Sequence, residues 1–476
     1  MSTTTQKMPL FSLTAMVVGS MVGAGIFNLP GRFATATGPF GAIIAWAIAG
    51  TGMYMLARVF QALAEKRPDI DNGVFAYAKA GFGDYVGFLS AFGYWLGSVL
   101  GNTFYWVLIG TTLGRFFPNL FGGGTSAFSI IVSLFGVWAF HFMILRGVKE
   151  ATFINKVVTV AKIVPIILAI VIFIIFFHWS QFAENFFGSV GMPEKTLLMQ
   201  VRDTMLITVF VFIGIEGASV YSRYAEKRSD VGAATILGFV AVTGLMVAIT
   251  LLPYATAPRA EIAGVANPSL AGALELVVGH WGAVTISIGV LVSVLGAFLA
   301  WSLICAEVLF AAGRSTDMPR LFANQNANEV PANALWLSNI LVSLFIISTY
   351  WSRDAFNFML DMTSVTTLFP YLLVAGYAVI LARSGMGYEN APGAQSRDRT
   401  IAWIAVVYTV FMIIAAGTKY VILTCVLFAP GTILYFWARR EQNARLFTGA
   451  ELVVFAVLIV GAAIGVYGLV TGLIAP

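Results

Sequence analysis

The chain is short of charge. Asp, Glu, Lys and Arg make up only 10% of its 476 residues, where a soluble domain carries roughly a quarter. That excludes an ordinary water-facing surface. Cysteine is nearly absent. Cys305 and Cys425 both lie in apolar runs, which excludes a disulfide framework and a cysteine-rich metal site. With only three histidines, no metal-ligand cluster or nucleophile–base pair stands out. Neither an enzyme nor a bound cofactor or metal is therefore expected, and His141 and His280 read as structural or interfacial. The short alternating segments of an outer-membrane barrel are missing as well. The net charge of +5 does not point to nucleic acid, because in so apolar a chain the placement of charge matters more than its sum.

What is abundant is apolar sequence. Hydrophobic residues make up 59% of the chain, and the charges gather in short runs between stretches long enough to cross a bilayer. The expected spans run over 10–36, 40–64, 85–113, 126–146, 154–177, 203–223, 232–254, 282–312, 333–350, 355–382, 401–417, 419–438 and 447–474. This describes an all-α polytopic membrane protein of about 13 transmembrane helices, with the lipid bilayer as its partner. Residues 1–9 are polar. The first apolar run is too long for a signal-peptide core and no small-residue cleavage site follows, so it reads as a retained span. The division between 401–417 and 419–438 rests on a turn at 417–419. The stretch GVFAYAKA, 73–80, is too short to span. With the N-terminus in the cytoplasm, about 18 Lys and Arg face inward and about 7 outward, in line with the positive-inside rule.

Glycine, a poor helix former, crowds the middle of two spans. GSMVGAGIF, 19–27, puts Gly19, Gly23 and Gly25 in the first, and FIGIEGAS, 212–219, puts Gly214 and Gly217 around Glu216 in the sixth. Paired interruptions at corresponding places in two halves point to a transporter with inverted repeats. Spans 1–5, residues 10–177, and spans 6–10, residues 203–382, form the expected repeats, with 401–474 as added spans. At a helix break the half-helix N-terminus offers N–H donors to a carboxylate. The opposing C-terminal end offers carbonyls to a cation. An amino acid carries both groups on one carbon. The alternative for Gly19 and Gly23 is a GxxxG contact between close-packed helices. Ionisable residues within spans are costly and usually functional. Lys162, Glu216, Glu307 and Asp361 are such residues, whereas Arg58 and Glu451, nearer span ends, read as snorkelling side chains.

At GSMVGAGIFNLP and FIGIEGAS together the chain resembles the amino acid–polyamine–organocation superfamily, and within it the basic amino acid/polyamine antiporters. A third match is AAGRSTDMPRLFANQNANEVPANAL, 311–335, which resembles that family's loop after the eighth span. The likeness covers roughly residues 8–440 and implies a LeuT-like 5+5 inverted-repeat fold, with discontinuous spans 1 and 6, and alternating access. GYWLGSVLGN (93–102), FHFMILRGVKEATFINKV (140–157) and CAEVLFAAGR (305–314) look nearest to the arginine/ornithine antiporter group.

The resemblance implies roles for particular residues. Met21, Val22, Gly23, Ala24 and Gly25 occupy the unwound first-span segment whose N–H groups hold a substrate carboxylate. Ala24 stands where a related group has Ser, so backbone donors carry more of that task. Ile213 and Gly214 match the sixth-span break whose carbonyls take the α-ammonium, and Glu216 matches a gating or proton-sensing glutamate. Phe210 stands at an aromatic gate, with Phe212 as the other candidate. Trp301 matches a tryptophan that packs on the substrate side chain, and its bland reading is a core or lipid-facing aromatic. Asn102 and Ser98 lie near the substrate side chain, or Asn102 bonds a neighbouring carbonyl. Lys162 stands where several members replace a sodium ion. Its ammonium would bond carbonyls near 19–22, either titrating or serving as a structural tie. Glu307 counters a distal substrate cation or pairs with Arg314. Asp361 gates the extracellular end or lines the site with Ser364 and Thr367.

The expected function is exchange of cationic amino acids, arginine for ornithine first. The spans bury more acid than base, which suits a cationic ligand. The alternative is a proton-coupled or exchange transporter for lysine, histidine or an amino acid and its decarboxylated amine. A channel would show a repeated pore loop or charge ring, and none is visible. The expected location is a bacterial inner membrane, and a homodimer is an open possibility.

Overall fold

A computed structural model of the chain describes residues 10–70, 73–147, 151–188, 195–215, 228–352, 354–389 and 392–474. Among them, nine helices are long and apolar enough to cross a bilayer. The count is ten if Lys162–Ile175 and Trp179–Asn185, bent by 102°, form one span. The other three expected spans take different forms. The first is broken after Met21. The third is the 33-residue helix Asp84–Phe116, long enough at 1.5 Å per residue but diluted by Gly, Ser, Thr, Tyr and Trp. The sixth begins as Leu197–Phe212 and is described as far as residue 215, and residues 216–223, Glu216 included, lie outside the described residues.

Helices outrun the apolar stretches that announce them. Pro392–Ala416 begins in polar sequence, and His280–Arg314 extends two residues beyond each end of the expected 282–312. Gly417, at φ 84°, separates Pro392–Ala416 from Thr418–Glu441. The short stretch read at 73–80 is a ten-residue helix, Gly73–Phe82.

The chain forms two compact units, Met1–Lys66 with Phe153–Leu295, and Arg67–Thr152 with Gly296–Pro476. Each draws on both expected repeats. In the first, Leu10–Met21 packs on Arg228–Leu251, and Leu197–Phe212 packs on Pro39–Lys66. Aromatic rings knit these helices together. Phe33 stacks on Trp46 at 5.5 Å, Trp46 meets Phe212 edge-on at 6.0 Å, and Phe212 stacks on Phe239 at 5.4 Å. Such pairs add to simple burial.

The second unit is built on Asp84–Phe116, which packs against Gly73–Phe82, Ala332–Ser348 and Ala355–Ser384. Gly97 permits the last of these contacts, because a Cβ there would come 2.7 Å from Thr367 Oγ1. Where Gly73–Phe82 meets the start of Asp84–Phe116, Lys79 lies 2.6 Å from Asp317 and 3.5 Å from Asp84, and Arg439 lies 2.9 Å from Asp84. Burial works against the Lys79 charge, but the two aspartates outweigh it and its pKa lies above the ordinary lysine value. Burial pushes the Asp317 carboxyl up.

Glu451 is not a snorkelling side chain. It is 4% exposed, and its carboxylate accepts from the backbone N–H groups of Tyr85 and Thr448, both at 2.8 Å. Gly83, the N-cap of Asp84–Phe116, has no side chain to offer the first turn, and Glu451 supplies the missing acceptor from the far end of the sequence. Glu451→Gln leaves one of those N–H groups facing an amide NH2. Thermal unfolding in detergent should show a loss of about 2 kcal/mol, and an unchanged Tm would show that the cap contributes nothing.

Candidate functional site

The first-span glycines do break the helix. Leu10–Met21 ends, Val22 N–H still reaches back to Val18 O at 2.9 Å, and Gly23 turns extended at φ −104°, ψ −168°. A 3-10 turn, Ala24–Asn28, and the helix Leu29–Ala36 follow. The N–H groups at the start of such a turn lack intrahelical acceptors. Met21, Val22, Ala24 and Gly25 are buried, whereas a Cβ on Gly23 would meet no atom within 4 Å.

The sixth-span interruption lies beside it. Leu197–Phe212 ends in a turn in which Gly214 adopts φ 105°, a conformation that disfavours any residue with a side chain. A Cβ on Gly25 would fall 2.6 Å from Phe210 Cδ1 and 2.7 Å from Val211 Cγ1. The start of one helical segment and the C-terminal end of another therefore meet, one offering N–H groups and the other carbonyls. Phe210 is buried, Ile213 is half-buried and Gly214 is buried.

Lys162 is also in this unit. It is 8% exposed, and its Nζ donates to Gly19 O at 3.5 Å, just ahead of the break. A buried ammonium requires acceptors, and the C-terminal turn of Leu10–Met21 has carbonyls without intrahelical donors.

In the second unit, Ser98 and Asn102 lie one turn apart on Asp84–Phe116, 5% and 1% exposed. The Ser98 hydroxyl donates to Tyr94 O at 2.9 Å. The Asn102 amide N–H donates to Cys305 Sγ at 3.5 Å. Ser364 and Thr367, both buried, donate to the carbonyls of Leu360 and Thr363 within their own helix, at 3.0 and 2.8 Å. Asp361, 5% exposed, accepts from Tyr420 on Thr418–Glu441 at 3.0 Å. Trp301 is half-buried.

Glu307 departs from expectation. Its side chain is exposed, on the stripe that also exposes Ile304 and Arg314, while Cys305, Ala306 and Leu309 point inward. In a helix apolar all round, the sequence cannot say which face is buried. The hydrogen bond at Cys305 is not legible in sequence, because a lone cysteine in an apolar run carries no signal of its partners. Among the described residues no group of His, Cys, Asp or Glu is arranged to hold a metal ion.

Known proteins match nearly the whole chain. The amino acid permease family model matches residues 9–421. The chain is 47% identical to the arginine/ornithine antiporter of Pseudomonas aeruginosa over 473 residues, 98% of each. It is 38% identical to the L-lysine transport protein of Corynebacterium glutamicum over 488 aligned positions, 98% of this chain and 96% of the relative. It is 36% identical to the arginine/agmatine antiporter of Chlamydia felis over 451 residues, 94% and 93% of the two chains. With broken and unbroken apolar helices in the expected places, this multi-pass membrane protein belongs to the amino acid permease family, within the amino acid–polyamine–organocation superfamily.

Proposed function

We propose that this protein exchanges cationic amino acids across a bacterial inner membrane by alternating access, with arginine and ornithine as the favoured pair. The observation that carries the proposal is the meeting of the two breaks at Gly25 and Phe210, which sets helix-start donors beside helix-end carbonyls. An α-carboxylate suits the N–H groups at residues 21–25, and an α-ammonium suits the carbonyls at Ile213 and Gly214. Both groups are common to all amino acids, so selectivity belongs to the side-chain end. There Ser98, Asn102, Trp301, Ser364 and Thr367 are the candidates, with Glu307 on the exposed face of its helix. A cation over Trp301 would be favoured by roughly 0.5–2 kcal/mol. Phe210 would close over the substrate. Glu216, Lys162 and Asp361 would act in gating or proton coupling.

In this reading residues 10–177 and 203–382 are inverted repeats and 401–474 are added spans, available for a homodimer contact. The N-terminal residues 1–9 are cytoplasmic. Arginine and ornithine are both monocations at neutral pH, so their exchange moves no net charge and needs no ion gradient. The relatives named for arginine/agmatine and for lysine support a second reading, in which the partner is an amine or the chain carries lysine.

Proteoliposome counterflow separates these. Vesicles loaded with ornithine should take up labelled arginine at least tenfold faster than empty vesicles, independently of an imposed pH gradient. Equal uptake into empty vesicles would sink obligatory exchange. Faster uptake into agmatine- or lysine-loaded vesicles would reassign the partner.

A further inference from the structure

Two helices of the second unit meet end to start, and two exposed arginines lie where they do. Ala355–Ser384 packs on Pro392–Ala416. The Gln395 amide N–H donates to Ala382 O at 2.8 Å, which ties the start of the second helix to the last turn of the first. The Arg383 guanidinium then lies over the Trp403 ring, 5.3 Å from its centroid. Arg399 stands one turn before Trp403 on the same exposed face, so the two are neighbours on the helix surface. Among the described residues neither arginine has an ion pair. The acids of this region are engaged with other groups. Asp398 accepts from Tyr388 and Arg397, both at 3.2 Å, and Glu389 accepts from Gly387 N–H at 3.0 Å. Two guanidinium charges around one ring repel each other, and an anion relieves that repulsion.

The face below them is apolar. From Trp403 it continues through Val407, Val410 and Ile414, all exposed, while Ala402, Ala405 and Met412 are buried. At 1.5 Å per residue this stripe is about 16 Å long, close to half of the roughly 30 Å hydrocarbon core of a bilayer. A free anion has no use for such a stripe, whereas a lipid has an acyl chain to lay on it. We propose that Arg383, Arg399 and Trp403 form a headgroup site for an anionic phospholipid, with its phosphate on the two guanidinium groups and an acyl chain along Val407, Val410 and Ile414. Guanidinium forks match phosphate oxygens, and tryptophan belongs at headgroup level. On the N-inside orientation proposed above, this end of both helices faces the cytoplasm, where basic residues beside spans meet anionic headgroups. The lipid fastens the end of the helix that carries Asp361, Ser364 and Thr367. The site does not depend on which amino acid is carried.

Native mass spectrometry of the detergent-purified protein, titrated with phosphatidylglycerol or zwitterionic phosphatidylcholine, tests the site. An arginine beside an anionic headgroup is worth about fivefold in binding. Wild-type protein should therefore retain one phosphatidylglycerol about tenfold better than phosphatidylcholine, or more. Arg383→Gln combined with Arg399→Gln should weaken phosphatidylglycerol retention by about tenfold or more. Trp403→Leu keeps apolar area but removes the ring beneath Arg383, and should weaken it about threefold. Arg440→Gln combined with Arg445→Gln removes the same charge from another exposed turn, and should stay within about twofold of wild type. Equal loss in the two double variants would mean that net charge alone attracts the lipid, and would overturn the site. Equal retention of the two lipids by wild-type protein would overturn it too, as would undiminished retention in Arg383→Gln with Arg399→Gln. Inorganic phosphate in roughly hundredfold excess should leave phosphatidylglycerol in place. Displacement of the lipid would assign the arginines to a free anion and overturn the lipid site. The substituted side chains are all exposed, so each variant should match the wild-type Tm. If the Arg383 and Arg399 double variant melts early, Arg399→Gln alone decides the matter, with an expected loss of about fivefold. Among the described residues no hydrogen bond or ion pair uses that side chain.

Discussion

Gly25→Val should abolish ornithine-driven arginine uptake, with a loss of at least a hundredfold, while the protein still inserts and folds. A Cβ at this position would come 2.6 Å from Phe210 Cδ1 and 2.7 Å from Val211 Cγ1, closer than carbon atoms approach. Neither neighbour can swing aside cheaply. Phe210 is 8% exposed and Val211 4%, and both sit in the last turns of Leu197–Phe212. The segment Ala24–Asn28 must then move away from the end of that helix. Overpacking of this kind costs about 1–3 kcal/mol, which a large membrane protein survives. The geometry that presents donors beside carbonyls does not survive a shift of even 1 Å. Gly23 provides the steric contrast. A Cβ there meets nothing within 4 Å, and φ −104° suits any residue, so Gly23→Ala should match the wild-type Tm. Gly25→Val with exchange within threefold of wild type would refute the close approach of the two breaks. An aggregated Gly25→Val protein would put the cost well above this range and refute the packing estimate.

What could be read from the sequence follows from how local its causes are. Glycines mark helix breaks in two ways. Gly214 and Gly417 adopt positive φ, 105° and 84°, which disfavours a side chain. Gly23, at an ordinary extended φ, marks its break through low helix propensity alone. A single lysine within an apolar run announces itself, and Lys162 is found bonded to Gly19 O. Causes that lie far away in sequence could not be read. Glu451 caps a helix that starts at Asp84, and its own neighbours give no hint of that. The 102° turn before Trp179–Asn185 is set by what the segment packs on. Glu307 was expected to be buried because acids in spans usually are, and the uniform hydropathy around it hid the orientation of its face. The backbone carbonyls that bond Ser98 and Lys162 belong to every residue alike, so no pattern of side chains marks them.

Arg259 is the strongest instance of that last point, and Arg259→Ala should be among the most destabilising substitutions in the chain. In the sequence it is one more positive charge in a loop. In the structure it is 4% exposed, and among the described residues its guanidinium is held by backbone carbonyls. Nε donates to Ala34 O at 2.7 Å, Nη1 to Gly188 O, and Nη2 to Thr35 O at 3.4 Å. Ala34 and Thr35 lie in the last turn of Leu29–Ala36, where carbonyls lack intrahelical donors and a cation is favoured. Asn185 ties the same cluster, accepting from Arg259 N–H at 2.9 Å and donating to Tyr254 O and Ala257 O at 2.7 and 2.9 Å. Burial lowers the Arg259 pKa, partly opposed by Tyr254, but a guanidinium remains charged at any physiological pH. The cluster should therefore be insensitive to pH. Truncation to Ala removes the charge and strands three carbonyls, each costing about 1–3 kcal/mol where water does not replace the donor, so the loss should be at least about 3 kcal/mol. Arg259→Lys keeps the charge but presents a single point of donors, which cannot reach carbonyls on two segments at once. Its Tm in detergent should lie nearer to Ala than to wild type. A lysine variant as stable as wild type would mean that charge at the helix end, rather than the forked guanidinium, holds these segments. An alanine variant as stable as wild type would remove Arg259 from the account altogether. Exchange activity should fall with stability, because the helix that Arg259 fastens is the one that begins just after the first-span break.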